Sequence, residues 1–145
     1  MFSRALTALL VAATMRQPSA EMELVQSDRL KLVELDVQKP ASIHTAVATT
    51  LSHFGKIDIW VNNAGYGVFG PVEAASHAQI QRQYDVNVFG LIDCVKAIAP
   101  HFRANRGGVL INVTSIGGLM TAPGYSIYNS SKSPWRASPK DSGMS

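Results

Sequence analysis

Residues 57–65, Ile-Asp-Ile-Trp-Val-Asn-Asn-Ala-Gly, decide the fold class. Residues 57–61 form a compact apolar run that only Asp58 interrupts, which is typical of a buried strand bounded by turn signals. Residues 62–70 are rich in asparagine and glycine, the residues that favour turns. The stretch therefore predicts a strand with a loop at its carboxyl end.

The segments before this stretch predict a strand and a helix. Residues 30–37 (Leu-Lys-Leu-Val-Glu-Leu-Asp-Val) alternate between apolar and polar, as a strand does. Pro40 then begins a helix that we expect to end near Phe54, because proline is favoured in a first turn and apolar residues recur every four positions. Gly55 follows at the position that glycine prefers after a helix.

The segments after the stretch predict another helix and another strand. Ser76 is a suitable N-cap for a long helix that runs to about Arg103, with a bend implied by Pro100. Residues 109–113 are a further apolar run of buried-strand type. Strand, helix, strand, helix and strand in this order predict an α/β domain with a parallel sheet and crossover helices.

Composition and charge exclude several classes of protein. The chain has 145 residues, 46% hydrophobic and 16% charged, enough for one domain with a core. A net charge of +3 with no basic run among aromatic residues argues against nucleic-acid binding. No segment approaches the roughly 20 apolar residues of a membrane span. The histidines lack metal-ligand spacing, so no metal site is expected. The lone Cys94 is expected to be a small buried side chain rather than a nucleophile.

Tyr128 and Lys132 lie one helical turn apart in Tyr-Asn-Ser-Ser-Lys, and Ser115 lies thirteen positions upstream of the tyrosine. Residues at i and i+4 share one face of a helix. An ammonium beside a phenol favours the phenolate, which makes a tyrosine usable as a proton donor or acceptor near neutral pH. A serine hydroxyl nearby could hold a substrate oxygen. The spacing alone is weak evidence, because such pairs occur by chance on many exposed helices.

Four motifs precede this pair in order: Asp36-Val37, Asn62-Asn63-Ala64-Gly65, Asn87-Val88-Phe89-Gly90 and Ile111-Asn112-Val113-Thr114-Ser115. The ordered set gives the pair weight, because it resembles the short-chain dehydrogenase/reductase family. The resemblance covers residues 2–132 and about the first half of a typical family domain. It implies a Rossmann-like, doubly wound parallel sheet that binds a nicotinamide dinucleotide, with hydride transfer to or from a carbonyl or alcohol carbon.

The resemblance implies a role for each matching residue. Tyr128 would be the general acid/base, and Lys132 would bind the nicotinamide ribose and support the tyrosine. Ser115 would orient the substrate oxygen, and Asn87 would hold a water in the proton relay. Asparagine is unfavourable inside a helix, which independently favours a functional reason for Asn87. The expected cofactor-binding residues are Arg16, Asp36, Val37, Asn62, Ala64, Gly65, Tyr128 and Lys132.

Two of these cofactor assignments have alternatives. The family places an acidic residue after the second strand when NAD is used, whereas residues 13–16 here are Ala-Thr-Met-Arg, with no acid until Glu21. Arg16 could bind a 2′-phosphate with its bidentate fork, so we expect NADP(H); the alternative is an arginine on a solvated turn. Asp36 could contact the adenine or cap the helix that begins near Pro40.

The amino-terminal residues depart from the family pattern. The family opens with a strand and a Gly-x-x-x-Gly-x-Gly turn, whereas residues 2–6 match only the end of that turn and Ser3 replaces its last glycine. The first strand is therefore expected to be missing. Residues 5–10 resemble the next helix and residues 11–14 the second strand. Residues 1–20 also imitate a secretory signal, but the family resemblance favours a cytoplasmic protein.

The carboxyl-terminal residues 133–145 also depart from the family, whose later strands are expected to be missing. Pro134 and Pro139 fall where the family helix should continue, and each would break it. A shifted reading frame with GC-rich codons gives Ala-Val-Glu-Gly-Phe-Ser-Glu-Gly-Leu, which resembles the family's continuation. We therefore expect residues 2–132 to be a partial NAD(P)-binding domain and residues 133–145 a divergent, disordered tail, with a frameshift as the hypothesis for its origin.

These observations predict an NADP-dependent oxidoreductase that acts on a small-molecule carbonyl or alcohol. The family is typically homo-oligomeric, but its dimer helices are expected to be incomplete here. The alternative is a catalytically inactive remnant of such an enzyme, without stable cofactor binding, because an unpaired inner strand edge is a liability for solubility.

Overall fold

The computed structural model describes residues 9–120 and 122–133 of the chain. This part contains four strands, four α-helices and a π-helical segment between the second and third helices. The strands are β1 (Val11–Met15), β2 (Leu30–Glu34), β3 (Ile59–Asn62) and β4 (Val109–Asn112). The helices are α1 (Pro40–Phe54), α2 (His77–Tyr84), α3 (Leu91–Ala104) and α4 (Ser126–Lys132), and the π segment is Asp85–Gly90.

The strands form two parallel pairs. β1 pairs with β2 from Val11↔Leu30 onward, and β3 pairs with β4 from Ile59↔Val109 onward. Among the described residues β1 and β3 belong to separate two-stranded sheets and do not pair with each other. The parallel α/β architecture confirms the predicted fold class.

The first described strand lies where the family resemblance places one in the amino-terminal region. Residues 11–15 form β1, which agrees with the second strand that the resemblance predicts over residues 11–14. Leu9 and Leu10 are not helical, so the predicted helix over residues 5–10 does not reach its expected end. The remainder of that helix and the tail from residue 134 lie outside the described residues.

Local signals set the bounds of α1. Proline occupies the first position, and the helix ends at Phe54, as predicted. Gly55 adopts the left-handed conformation with φ 78°, and its N–H donates to Leu51 O. The preceding strand is shorter than predicted and ends at Glu34, because the chain turns between Asp36 and Lys39, where Lys39 N donates to Asp36 O.

The predicted long helix is confirmed at its start but is not a uniform α-helix. Ser76 Oγ accepts from Gln79 N, and Gln79 Oε1 accepts from Ser76 N, which is a complete capping box. The helix then passes through the π segment Asp85–Gly90 before it continues as α3. Such π-helical insertions are frequent at functional sites.

The helices α1 and α3 cover one face of the strands. One cluster joins Val47 of α1 and Ile98 of α3 to residues beside β3, and a second joins Ala46 to Val33 of β2. Trp60 packs against both clusters, so it connects the two sheets. The opposite face of β3 and β4 is exposed, at 43–52%, through Ile59, Val61, Val109, Ile111 and Val113.

Candidate active and cofactor-binding site

A cleft of about 610 Å³ lies at the carboxyl ends of the strands, where open α/β sheets bind ligands. Its lining brings together residues that follow three different strands of the chain. All six of the predicted cofactor-binding residues outside α4 line it: Arg16, Asp36, Val37, Asn62, Ala64 and Gly65.

Asp36 is held at the edge of this cleft by its own turn. Its carboxylate accepts from Gln38 N at 3.1 Å and pairs with Lys39 Nζ at 3.4 Å, while Asp36 N donates to Ser42 Oγ. The N-cap of α1 is Lys39, which makes no side-chain cap hydrogen bond. Asp36 therefore shapes the turn that precedes α1, and the capping alternative does not describe its contacts.

Val37 is held in the cleft wall by close packing against the π segment. A Cβ atom built on Gly90 would lie 2.8 Å from Val37 O and 2.9 Å from Val37 Cβ. Only a glycine leaves room for this approach, because both contacts are with parts of Val37 that cannot swing away.

Asn62 fastens the ends of β3 and β4. Its Oδ1 accepts from Trp60 Nε1 at 2.7 Å, and its Nδ2 donates to Asn112 Oδ1 at 2.8 Å. The side chain is buried, and the protein uses both ends of its amide. Asn62 therefore fixes the point at which the loop with Ala64 and Gly65 leaves the sheet.

Asn87 lies in the π segment and binds the same loop. Its Oδ1 accepts from Tyr66 N at 3.0 Å, and its Nδ2 donates to Tyr66 O at 2.8 Å and to Ser131 Oγ at 2.9 Å. The side chain is 1% exposed. These bonds give the physical reason for an asparagine inside a helix: it replaces the backbone partners that the loop lacks.

Lys132 projects from α4 towards the loop after β3. It is 7% exposed, and its Nζ would lie 2.8 Å from a Cβ built on Gly65; Asn87 Oδ1 would lie 3.2 Å from the same point. The lysine ammonium, the asparagine amide and the glycine backbone therefore converge. The predicted residues Asn87, Gly65 and Lys132 are brought together.

Tyr128 lies one turn before Lys132 on α4, with its ring between an aromatic side chain and a glycine. The ring centroid is 5.4 Å from that of Phe69, and a Cβ on Gly117 would lie 3.0 Å from Tyr128 Cε1. Ser115 Oγ accepts from Gly117 N at 3.1 Å. The Ser115 loop therefore packs against Tyr128, so the structure brings the elements of both predicted residues to one place.

The cleft and the neighbouring residues Asn87, Gly65 and Lys132 offer hydrogen-bond donors of the kind that a nicotinamide dinucleotide requires. Arg16 supplies a guanidinium at one strand end, and Lys132 supplies an ammonium beside the loop. Gly65 lines the cleft, and the absence of a side chain there leaves the loop backbone close to the Lys132 ammonium. Charged donors and exposed loop backbone are the groups that bind phosphates and ribose hydroxyls.

Two buried polar residues of this region were not predicted from the sequence. Gln83 and Ser131 are both 0% exposed, and Gln83 Nε2 donates to Ser131 Oγ at 3.1 Å. The available signal was spacing: Gln83 lies four positions before Asn87, and Ser131 precedes Lys132. Which partners these two residues bind depends on contacts between segments that are far apart in the chain.

Cys94 also lines the cleft, but its thiol is unreactive. Its side chain is buried, and burial, with a smaller contribution from the Asp93 charge, raises the pKa of its thiol to about 11. The thiol is protonated near neutral pH, which confirms the expected role as a small buried side chain. No group of histidine, cysteine or acidic residues that could hold a metal occurs among residues 9–120 and 122–133.

None of the helices in the described part of the chain is both long enough and apolar enough to cross a bilayer.

Comparison with known proteins identifies the family. The model of the family described as short chain dehydrogenase matches residues 4–137. An uncharacterized oxidoreductase of Schizosaccharomyces pombe is 42% identical over 118 residues, which cover 81% of this chain and 50% of that protein. The chain thus spans about half the length of this relative.

Solved structures agree with the sequence comparison. A short-chain dehydrogenase from Streptomyces avermitilis superposes with a TM-score of 0.82 at 28% identity, over 90% of this chain and 50% of that one. A 3-ketoacyl-(acyl-carrier-protein) reductase from Brucella melitensis, complexed with NADH, gives a TM-score of 0.71 at 35% identity, over 74% and 46%. The chain belongs to the short-chain dehydrogenase family.

Proposed function

We propose that this chain carries the proton-transfer residues of an NADP-dependent oxidoreductase that acts on a small-molecule carbonyl or alcohol. The observation that carries the proposal is the burial of the Lys132 residue with its ammonium beside Gly65 and Asn87, one helical turn from Tyr128. Lysine is rarely buried in proteins unless it is paired, so the burial of this residue needs a reason. A ribose-binding role that also supports a catalytic tyrosine supplies that reason.

Each side chain has a role in the proposed reaction. In the reductive direction Tyr128 would donate its hydroxyl proton to the substrate oxygen, which Ser115 would hold by a hydrogen bond. Asn87 would hold the water that returns a proton to the tyrosine. A nicotinamide dinucleotide bound in the cleft would supply the hydride for reduction and accept it in oxidation.

The preference for NADP(H) rests on Arg16. This residue follows β1, is exposed and lines the cleft, and the chain has no acidic residue between it and Glu21. The nearby carboxylate of Asp36 is already engaged by Gln38 N and Lys39. A guanidinium in this position favours a 2′-phosphate over a 2′-hydroxyl, because it can donate two parallel hydrogen bonds to phosphate oxygens.

A second candidate function is supported by the sheet. β1 and β3 do not pair with each other among the described residues, and one face of β3 and β4 is exposed. Parallel strands are usually buried on both faces. These features favour the alternative that the 145-residue polypeptide is an inactive remnant, without stable cofactor binding.

Titration with NADPH, followed by its fluorescence, decides between the two candidates. Saturable binding that Lys132→Ala weakens supports the oxidoreductase, because the lysine is assigned to the ribose. Lys96→Ala is the matched control, because Lys96 is an exposed lysine of α3 that pairs with Asp93, and this variant should bind like the unmodified chain. The absence of saturable binding in the unmodified chain would refute the proposal and favour the inactive remnant.

A further inference from the structure

Three buried polar side chains connect the helices around the candidate site. Gln83 lies in α2, Asn87 in the π segment and Ser131 in α4, and their exposures are 0%, 1% and 0%. Burying an amide or hydroxyl costs free energy unless it is hydrogen-bonded, and a fully bonded network specifies one arrangement of the elements that carry it.

The directions of the hydrogen bonds in this network follow from its backbone donors. Val68 N can only donate, so Gln83 Oε1 faces it and Gln83 Nε2 faces Ser131 Oγ. In the same way Tyr66 N fixes Asn87 Oδ1, so Asn87 Nδ2 faces Ser131 Oγ. Both amides therefore donate to one serine hydroxyl.

Ser131 uses its full hydrogen-bonding capacity. Its oxygen accepts from Gln83 and Asn87, and its hydroxyl donates to Tyr128 O at 2.8 Å. A serine hydroxyl has one proton and two lone pairs, so no capacity is left for water. Rotation or sliding of α4 would break these bonds together, and α4 carries both Tyr128 and Lys132.

We propose that Gln83 and Ser131 are positioning residues of the candidate site. Gln83 binds the loop 65–68 through Val68 N, and Ser131 connects Gln83 to α4. These bonds keep Lys132 Nζ beside Gly65. The catalytic meaning of this network rests on the proposed function. The two residues act through Asn87 and the backbone of Tyr128.

The first test does not need a cofactor. In Ser131→Ala, we expect hydrogen exchange of the Val68 amide to accelerate about tenfold, the equivalent of one lost hydrogen bond. Ser130→Ala is the matched control: Ser130 is exposed, and its Oγ accepts from Tyr84 Oη and donates to Ile127 O. In the control the Val68 amide should exchange as in the unmodified chain.

Hydrogen exchange of the Val33 amide, in the core of β2, distinguishes a local loss of positioning from a general loss of stability. Its exchange should be equal in Ser131→Ala and in the unmodified chain, because it belongs to the other sheet. Equal acceleration at Val33 and Val68 would overturn the proposal, because it would mean that the serine only stabilises the fold. Unchanged exchange at Val68 would overturn it as well.

A second variant protects the test against a folding failure. Gln83→Met keeps the side-chain length and buries no charge, but it can neither accept from Val68 N nor donate to Ser131 Oγ. We expect faster exchange of the Val68 amide and unchanged exchange at Val33. Gln81→Met, exposed on the same helix, is the control and should leave Val68 unaffected.

The same variants connect the network to the cofactor. NADPH should bind about tenfold more weakly to Ser131→Ala than to Ser130→Ala, since a displaced ammonium loses a charge-assisted hydrogen bond. If the unmodified chain does not bind NADPH, the proposed function fails, and hydrogen exchange alone decides the positioning role. If it binds and both serine variants bind equally, the positioning role fails while the proposed function stands.

Discussion

The Lys132 ammonium lies directly beside Gly65: a Cβ atom built on the glycine would come within 2.8 Å of Lys132 Nζ. Gly65→Ala should therefore displace the ammonium without preventing folding, because Nζ is the end of a flexible side chain. We expect NADPH affinity to fall about tenfold, the scale of one charge-assisted hydrogen bond. Fluorescence titration of the variant with NADPH measures this loss.

Gly107→Ala is the control for this substitution. A Cβ on Gly107 would meet no heavy atom within 4 Å, so the substitution should change neither folding nor cofactor affinity. Equal affinity of the two glycine variants would show that the contact between Gly65 and Lys132 has no role in binding.

Tyr128→Phe should separate proton transfer from cofactor binding. Positioned acid/base groups contribute about 10² to 10⁴ in rate, so NADPH oxidation with small carbonyl compounds should fall by that factor. Cofactor affinity should stay close to unchanged, because the hydroxyl would be one of several contacts. Lys132→Ala should reduce both quantities. A phenylalanine variant that keeps most of its turnover would remove the tyrosine from its proposed role.

Arg16→Asp should reverse or abolish the preference for NADP(H). A carboxylate repels a 2′-phosphate and accepts hydrogen bonds from a 2′-hydroxyl, so NADPH binding should weaken more than NADH binding. Arg29→Asp makes the same charge change at an exposed residue that does not line the cleft. Tighter binding of NADH than of NADPH to the unmodified chain would contradict the prediction.

Local sequence signals predicted the elements more accurately than the contacts between them. Pro40 and Gly55 set the ends of α1 because proline and glycine act through their own backbone conformations. The capping box at Ser76 is equally local. The π segment around Asn87 could not be predicted, because asparagine there satisfies the backbone of Tyr66, a residue far away in the chain.

The candidate site shows the same division. Tyr128 and Lys132 were predicted from their spacing on one helix and from the family resemblance, and the structure places Lys132 beside Gly65. Ser131 could not be distinguished from its neighbour Ser130 by sequence, although one is buried and the other exposed. Its importance depends on Gln83, which only the packing of α2 against α4 brings within reach.

The exposed face of β3 and β4 should make the isolated 145-residue polypeptide prone to association. Val61 is 52% exposed and Ile111 is 44% exposed, on paired strands with adjacent side chains. Replacing both with threonine keeps the β-branched shape and removes apolar surface, so light scattering and dye binding should decrease. Val25→Thr, at a residue that is 80% exposed outside the strands, is the control and should change neither signal. Equal solubility of both variants would mean that this face does not drive association.

Cys94 should report whether the core around α3 is formed. Burial, with a smaller contribution from Asp93, raises the pKa of its thiol from the ordinary 9.0 to about 11. Alkylation requires the thiolate and access to it, so iodoacetamide should label the folded chain slowly near neutral pH and much faster in denaturing urea. Asp93→Asn removes only the smaller cause and should still be labelled slowly.

The same shift in pKa contributes to the pH dependence of stability. Between pH 9.0 and about 11 the unfolded thiol has released its proton while the folded thiol keeps it. The folded state then binds more protons than the unfolded state, so stability is fully retained below this window and falls as the pH rises through it, by at most about 1.4 kcal/mol per pH unit. Urea titrations across the window, compared with Cys94→Ala, measure the slope that the thiol contributes.

In the iodoacetamide experiment, labelling of Cys94 in the untreated chain as fast as in urea would show that the core is not formed, which would favour the inactive remnant over the oxidoreductase.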